Sequence, residues 1–437
     1  MNIFIYTLGC RLNQCESEAI ASSFYKAGFE MDTDGNNADL IIVNSCTVTS
    51  KAEQKVRRMI RKFSSSEKCE VILVTGCYAQ LNRKILEKVS DKVIVIGLDK
   101  KADILKLPDF IKENDVMSLY ENCSAFSKFV ETEDCSVFDY HGSNFIYHSR
   151  AYLKIQDGCD NECAYCRVHV ARGKSSSLDS DEVVKRALEL EKNNYHEIML
   201  TGVNLTMYDH EREGLGALIE KLLAALGPNI RLRLSSMEPD HVDDRLLSTL
   251  KDPRIQPHFH IPIQSASNKV LKRANRHYDN EHLKYIIKRL REVKENPFIA
   301  CDLISGLPQE EEEEAQETYD FVKENNFSRL HVFPFSPRPD TPFFGVKDRC
   351  CEDIRDQRAK KLRDLSDELY LNYVNSYLGK EVEVLLEQDK GKFWWGTTGN
   401  FLKVKVFGLN LEAKKGEIYK VKIRKDYNGK AIEVDLV

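Results

Sequence analysis

The chain has 437 residues, enough for two to four domains, and 42% of them are hydrophobic and 30% charged. Lys and Arg number 64 against 69 Asp and Glu, a formal charge of 64 − 69 = −5. This balance excludes disordered, collagen-like and coiled-coil classes, and any nucleic-acid binding must come from a local patch.

The first part of the chain repeats one pattern. Apolar, β-rich runs at 3–8, 40–44, 71–75 and 93–96 alternate with helical stretches and read as buried parallel strands of an α/β sheet. Residues 121–149 are polar and patternless, which predicts a linker between domains spanning 1–120 and 150–375. Candidate strands at 152–156, 197–201, 231–235, 257–263, 298–304 and 329–334 follow, separated by helical stretches. Six β/α units suggest an open, partial barrel rather than a full eight-unit one. The run Glu310–Glu314 directly follows Pro308 and predicts a helix start with a solvated, charged face. Residues 351–378 read as an amphipathic helix. After Gly379 short alternating strands predict a small antiparallel β-barrel within a domain at 376–437.

No apolar run approaches the roughly 18 residues of a membrane helix, so no membrane partner is expected. The opening MNIFIYTLGC lacks a charged region followed by a long apolar stretch, so secretion is not expected and a cytoplasmic location is. In that reducing compartment the 13 cysteines point to metal or catalysis rather than disulfides.

Cys159, Cys163 and Cys166 are separated by three and then two residues and follow the first strand of the second domain. A helical stripe of core cysteines is one reading, opposed by the polar Asp160, Asn161 and Glu162 between them. A zinc site completed by His169 is another, though no second cysteine pair accompanies it. The third is a [4Fe–4S] cluster on three thiolates with one iron open to a ligand. Cys10, Cys46 and Cys77 each follow an apolar strand in TLGC, VNSC and VTGC. Parallel strands bring their carboxyl ends to one sheet edge, so these thiols are expected to share a second cluster. Cys15 is a reserve ligand; Cys301 is expected in the core, and Cys69, Cys123, Cys135, Cys350 and Cys351 show no ligand spacing.

The C-x3-C-x2-C spacing, with Tyr165 before the last cysteine, resembles the radical S-adenosylmethionine superfamily. With the three-cysteine α/β domain and a C-terminal barrel similar to the TRAM module, the chain resembles the radical methylthiotransferases over nearly its whole length. The matching runs include TLGCRLNQCESE (7–18), NSCTVT (44–49), GCYAQ (76–80), ARGK (171–174), LTGVNL (200–205), RLSSMEP (233–239) and FPFSPRPDTP (333–342). The opening run is most similar to the branch acting on N6-threonylcarbamoyladenosine in tRNA. The other branches act on isopentenyladenosine in tRNA and on a ribosomal-protein aspartate.

The resemblance implies two [4Fe–4S] clusters and two uses of S-adenosylmethionine. One molecule would methylate sulfide associated with the cluster on Cys10, Cys46 and Cys77. The other would give a deoxyadenosyl radical at the cluster on Cys159, Cys163 and Cys166, which takes hydrogen from carbon 2 of adenine. No general base is expected, because an aromatic C–H bond offers no acid–base route. Tyr165, Thr201, Asn204, Ser236, Glu238 and Gln264 are the candidates for holding S-adenosylmethionine, and Arg172 and Lys174 could meet phosphate or a cofactor carboxylate. Implied partners are the tRNA anticodon stem-loop, an electron donor such as flavodoxin or ferredoxin, and a sulfur source. His169, Ala266, Ala274 and Gln309 depart from the residues frequent in relatives, which bears on pocket shape rather than on the reaction.

From Lys380 onward 12 Lys or Arg face 9 Asp or Glu, a net of +3, which leaves −8 for the rest. Phe393, Trp394, Trp395, Phe401 and Tyr419 could stack on unpaired bases or pack the barrel core. Lys403, Lys405, Lys414, Lys415, Lys420, Lys422, Arg424 and Lys425 could contact phosphates. A zinc-stabilised RNA-binding protein without catalytic activity is the rival from another class.

Overall fold

Alternation of side chains along buried strands organises the N-terminal domain of the computed structural model, which describes residues 1–140, 144–409, 412–425, 427, 429 and 431–437. Five parallel strands run in the order Glu30–Met31, Asn2–Thr7, Leu40–Ser45, Val71–Gly76, Val93–Val95. Ile3, Ile5, Leu40, Ile42, Val71 and Leu73 face Ile20, Phe24 and Phe126 on one side. Phe4, Ile41, Val43, Ile72 and Val74 face Val56, Ile60 and Phe63 on the other. Two-sided burial explains why these strands read as continuous apolar runs. The two-residue edge strand Glu30–Met31 is too short to leave such a run.

The segment read as a linker begins differently. Residues Leu119–Val130 form a helix whose Leu119, Cys123, Phe126 and Val130 enter the N-terminal core. Polar residues between them mask this helical period, although Ser118 and Glu121 form a capping box. Residues 141–143 of that segment lie outside the described residues.

The second domain contains the six expected parallel strands. Ala151–Lys154, Glu197–Thr201 and Arg231–Leu234 form one sheet; His258–His260, Phe298–Ser305 and Arg329–Pro334 form another. Bridges Leu232↔Ile255 and Ser236↔His260 join them into an open barrel. The helix after Pro308 is Glu312–Glu324, and Glu311, Glu312 and Glu313 of its acidic run are exposed as expected, whereas the two end residues of the run are not. Glu310 and Glu314 are buried, Glu310 against Arg358 at 3.1 Å and Glu314 against Arg273 at 2.8 Å. Gln309 has φ +60°, a left-handed backbone that suits the glycine expected there in relatives.

The Glu352–Asn375 helix leads into a closed five-stranded barrel. Its ladders are antiparallel except where Lys403–Val406 pairs in parallel with Ile432–Leu436. Phe298 and Ala300 of the second domain share this barrel's core with Tyr373 and Val374. Among the described residues no helix is long and apolar enough to cross a membrane.

Candidate functional site

Strand ends deliver both cysteine sets. Cys10 follows Asn2–Thr7, Cys46 follows Leu40–Ser45, and Cys77 opens the helix after Val71–Gly76. Gly9 has φ +108°, and a Cβ there would lie 3.1 Å from Cys46 Sγ. Gly76 has φ +94°, and its Cβ would lie 2.4 Å from Ser45 O. A side chain at either position would crowd the backbone turns that bring these cysteines together. Burial pushes the Cys46 thiol up to about 12, with Cys77 and Cys10 adding to the shift. Burial also raises Cys77, against the opposing guanidinium of Arg172. Iron binding requires thiolates, so metal uptake by these thiols would release their protons.

Cys159, Cys163 and Cys166 line a cavity of about 290 Å³ at the mouth of the open barrel. Burial raises all three thiols, Cys159 to about 11 and Cys166 to about 12. Tyr165, Asn204, Ser236, Glu238 and Gln264 line the same cavity, as expected. Thr201 does not: it is fully buried at the end of its strand, and its Oγ1 has no hydrogen-bond partner among the described residues. Ser236 Oγ bonds His260 Nδ1 at 2.6 Å, and His260 Nε2 contacts Asp302 at 3.0 Å. Asn204 accepts from Thr206 Oγ1 at 3.0 Å, and its side chain also interacts with the Cys159 thiol. An amide beside the three thiols, in a cavity also lined by Ser236, Glu238 and Gln264, fits a site for a polar ligand.

Arg276, which the sequence did not single out, closes one side. It donates to Cys163 Sγ at 3.2 Å and to Tyr165 Oη at 3.4 Å, and it pairs with Glu238. Burial lifts the Glu238 carboxyl to about 7 although Arg276 opposes the shift. The opposite wall comes from the N-terminal domain: Val48 and Thr49, just after Cys46, also line the cavity. Ser50 N donates to Ser336 Oγ at 3.1 Å, and Arg338 reaches Ser50 Oγ at 2.8 Å and pairs with Glu53. One cysteine set lines the cavity, and the loop carrying Cys46 forms part of its wall.

Arg172 is neither solvated nor free for phosphate. Its buried guanidinium contacts Asp157 at 2.9 Å, Glu16 at 3.2 Å and Asn13 Oδ1 at 2.9 Å. Lys154 contacts Glu16 at 2.9 Å and Asp157 at 2.6 Å, and Lys101 also pairs with Glu16. Three buried cations thus face two carboxylates beside Cys77, an excess of one positive charge. Anionic thiolates on a cluster there would offset it. Lys174 is exposed. Cys15 lies in the core shared with the second domain, its Sγ 3.6 Å from Tyr152 O, and burial raises it to about 12. Cys301 is fully buried, as expected.

In the C-terminal barrel, Phe401 is not free to stack on a base. It stacks on His258 with centroids 3.9 Å apart and lies 5.3 Å from the Arg233 guanidinium. Arg233 bonds Glu197 at 2.8 Å and donates to Gly399 O at 3.0 Å, tying the barrel to the second domain. Trp394, Trp395, Lys403 and Lys415 line a groove of about 650 Å³ between the domains. Arg424 is held by Glu433 at 2.9 Å and Asp435 at 2.7 Å.

Comparison with known proteins matches this architecture. A family model described as Uncharacterized protein family UPF0004 matches residues 2–97, and one described as Radical SAM superfamily matches residues 153–322. The chain is 35% identical over 433 residues to the threonylcarbamoyladenosine tRNA methylthiotransferase MtaB of Bacillus subtilis (strain 168), covering 97% of this chain and 94% of that protein. It is 33% identical over 459 residues to the protein of the same name from Treponema pallidum (strain Nichols), covering 93% and 94%. It is also 31% identical over 442 residues to the tRNA-2-methylthio-N(6)-dimethylallyladenosine synthase of Endomicrobium trichonymphae, covering 100% and 97%. Among solved structures, the radical S-adenosylmethionine methyltransferase TsrM from Kitasatospora setae has a TM-score of 0.52 at 12% identity, covering 78% of this chain and 77% of that one. At that identity the likeness is one of fold.

Proposed function

The chain belongs to the radical S-adenosylmethionine tRNA methylthiotransferase family, whose cofactors are S-adenosylmethionine and two [4Fe–4S] clusters, and we propose that it converts N6-threonylcarbamoyladenosine at position 37, next to the anticodon, to its 2-methylthio derivative. Similarity to threonylcarbamoyladenosine methylthiotransferases over nearly the whole chain carries this choice of substrate. When bound, the cofactors supply the one-electron chemistry and the sulfur needed to replace the hydrogen on carbon 2 of adenine.

The residues have distinct parts in this reading. Cys159, Cys163 and Cys166 would hold the cluster that binds S-adenosylmethionine, and Cys10, Cys46 and Cys77 the auxiliary one. Asn204, Ser236, Glu238 and Gln264 would orient S-adenosylmethionine within the cavity, with Tyr165 packed beside the cluster. Arg276 holds Glu238 and Cys163 in fixed relation. Val48 and Thr49 line the mouth of the cavity. Trp394, Trp395 and the barrel lysines would take the anticodon stem-loop. A cytoplasmic location, an electron donor such as flavodoxin or ferredoxin, and a sulfur source complete the proposal.

Mass spectrometry of tRNA nucleosides from cells with and without the gene tests it. Loss of 2-methylthio-N6-threonylcarbamoyladenosine with accumulation of its parent is the expected result. Loss of the isopentenyl counterpart instead would move the chain to the other tRNA branch. Unchanged tRNA nucleosides would leave a protein substrate as the better reading.

A further inference from the structure

The arginines around the two cysteine sets differ in one respect. Arg276 pairs with Glu238, Arg167 with Asp340 at 2.8 Å, and Arg172 with Asp157 at 2.9 Å. Arg150 pairs with Glu197 at 3.1 Å and Glu387 at 2.8 Å. Arg11 has no carboxylate partner among the described residues. Its guanidinium has two long contacts to neutral oxygens, Gln14 Oε1 and Tyr152 Oη, each at 3.4 Å, and it lies 5.8 Å from the Phe401 ring centroid. It is half-buried, immediately follows Cys10, and lines the groove of about 650 Å³ where the three domains meet. Glu387 and Asp389 line the same groove together with Arg150, Lys403 and Lys415, but none of its carboxylates contacts Arg11 among the described residues. A partly desolvated guanidinium without a paired carboxylate can take a planar anion, which its parallel N–H groups can bind in bidentate fashion.

The substrate proposed above carries such an anion. Its threonylcarbamoyl arm ends in a carboxylate and is attached at N6, on the same Watson–Crick edge of adenine as carbon 2. A cation next to Cys10 can therefore hold the arm while carbon 2 faces the sulfur-bearing region. The isopentenyl arm has no charge to offer there. We infer that Arg11 binds the carboxylate of the N6 substituent and determines which modified adenosine the enzyme accepts. This rests on the proposed substrate.

The test uses the full-length, cluster-loaded protein and three anticodon stem-loops: one with threonylcarbamoyladenosine, one with its carboxylate methyl-esterified, and one with isopentenyladenosine. Affinities are measured for the wild type, Arg11→Gln and Arg11→Lys, with iron content as a check that the cluster beside Cys10 is retained. The wild type should bind the free carboxylate about tenfold or more tightly than the ester. Arg11→Gln should bind both alike, and Arg11→Lys should recover part of the preference. Equal weakening of all three stem-loops by Arg11→Gln, with a shallower salt dependence, would make Arg11 a phosphate contact and overturn the inference. An unchanged preference in Arg11→Gln would overturn it too. A wild type that prefers the isopentenyl stem-loop would instead defeat the substrate proposal, and the inference with it.

Discussion

Two cysteine triads carry the candidate chemistry, and they are built in opposite ways. Cys159, Cys163 and Cys166 lie within one loop, so backbone connectivity alone keeps them close. Cys10, Cys46 and Cys77 follow three strand ends that share one sheet edge only because Asn2–Thr7, Leu40–Ser45 and Val71–Gly76 pair in parallel and in register. The first triad is therefore a local motif, while the second is a property of a sheet. A buried ion network joins the two, since Arg172 follows the local triad in sequence but rests beside Cys77.

The largest expected effects separate the triads by function. Cys159→Ala should abolish both cleavage of S-adenosylmethionine and methylthiolation. Cys46→Ala should stop methylthiolation while sparing some cleavage, measured as 5′-deoxyadenosine under reducing conditions. Full activity in either variant would sink the two-cluster assignment.

A smaller effect probes the link between them. Arg172→Met removes the guanidinium that faces Asp157 and Glu16, leaving buried carboxylates short of a partner. A loss of about 3–5 kcal/mol in stability is expected from chemical denaturation. A variant as stable as the wild type would show that the network does not hold the two domains.

The smallest effect concerns the barrel junction. Arg233 and Arg150 hold the buried Glu197 carboxyl down to about 2 against the cost of burial. Its folded-state pKa is thus depressed, so its contribution is complete above the unfolded carboxylate range near 4.5 and is lost as pH falls toward about 2. Glu197→Gln should cost about 2–3 kcal/mol at pH ~7. The gap between variant and wild-type thermal midpoints should narrow below pH ~4.5. A constant gap from neutral to acid pH would contradict the ion-pair account.

Much of this architecture is legible in the sequence because its signals are local. Continuous apolar runs mark the two-sided strands, and short alternating runs mark the barrel. The helix Leu119–Val130 escaped that reading because four apolar contacts are spread among polar residues. Arg276 escaped it too, as nothing in its neighbourhood along the chain shows that it faces Cys163 and Glu238. Thr201 shows the converse: its place after a strand suggested a cofactor contact, but the side chain is buried away from the cavity.

The sequence by itself determined the contiguous cysteine motif, the order of the three architectures and the strand-end placement of the second triad, since all are fixed by spacing and period. Only the tertiary structure decided which charges are paired. It buries Arg172 with Glu16 and Asp157, consumes Phe401 in a stack with His258, and leaves Arg11 facing the groove with no carboxylate in contact among the described residues. The physical reason is that spacing fixes where a side chain starts. What it meets depends on the elements folded against it, which for Arg172 and Glu16 lie 156 residues apart in sequence.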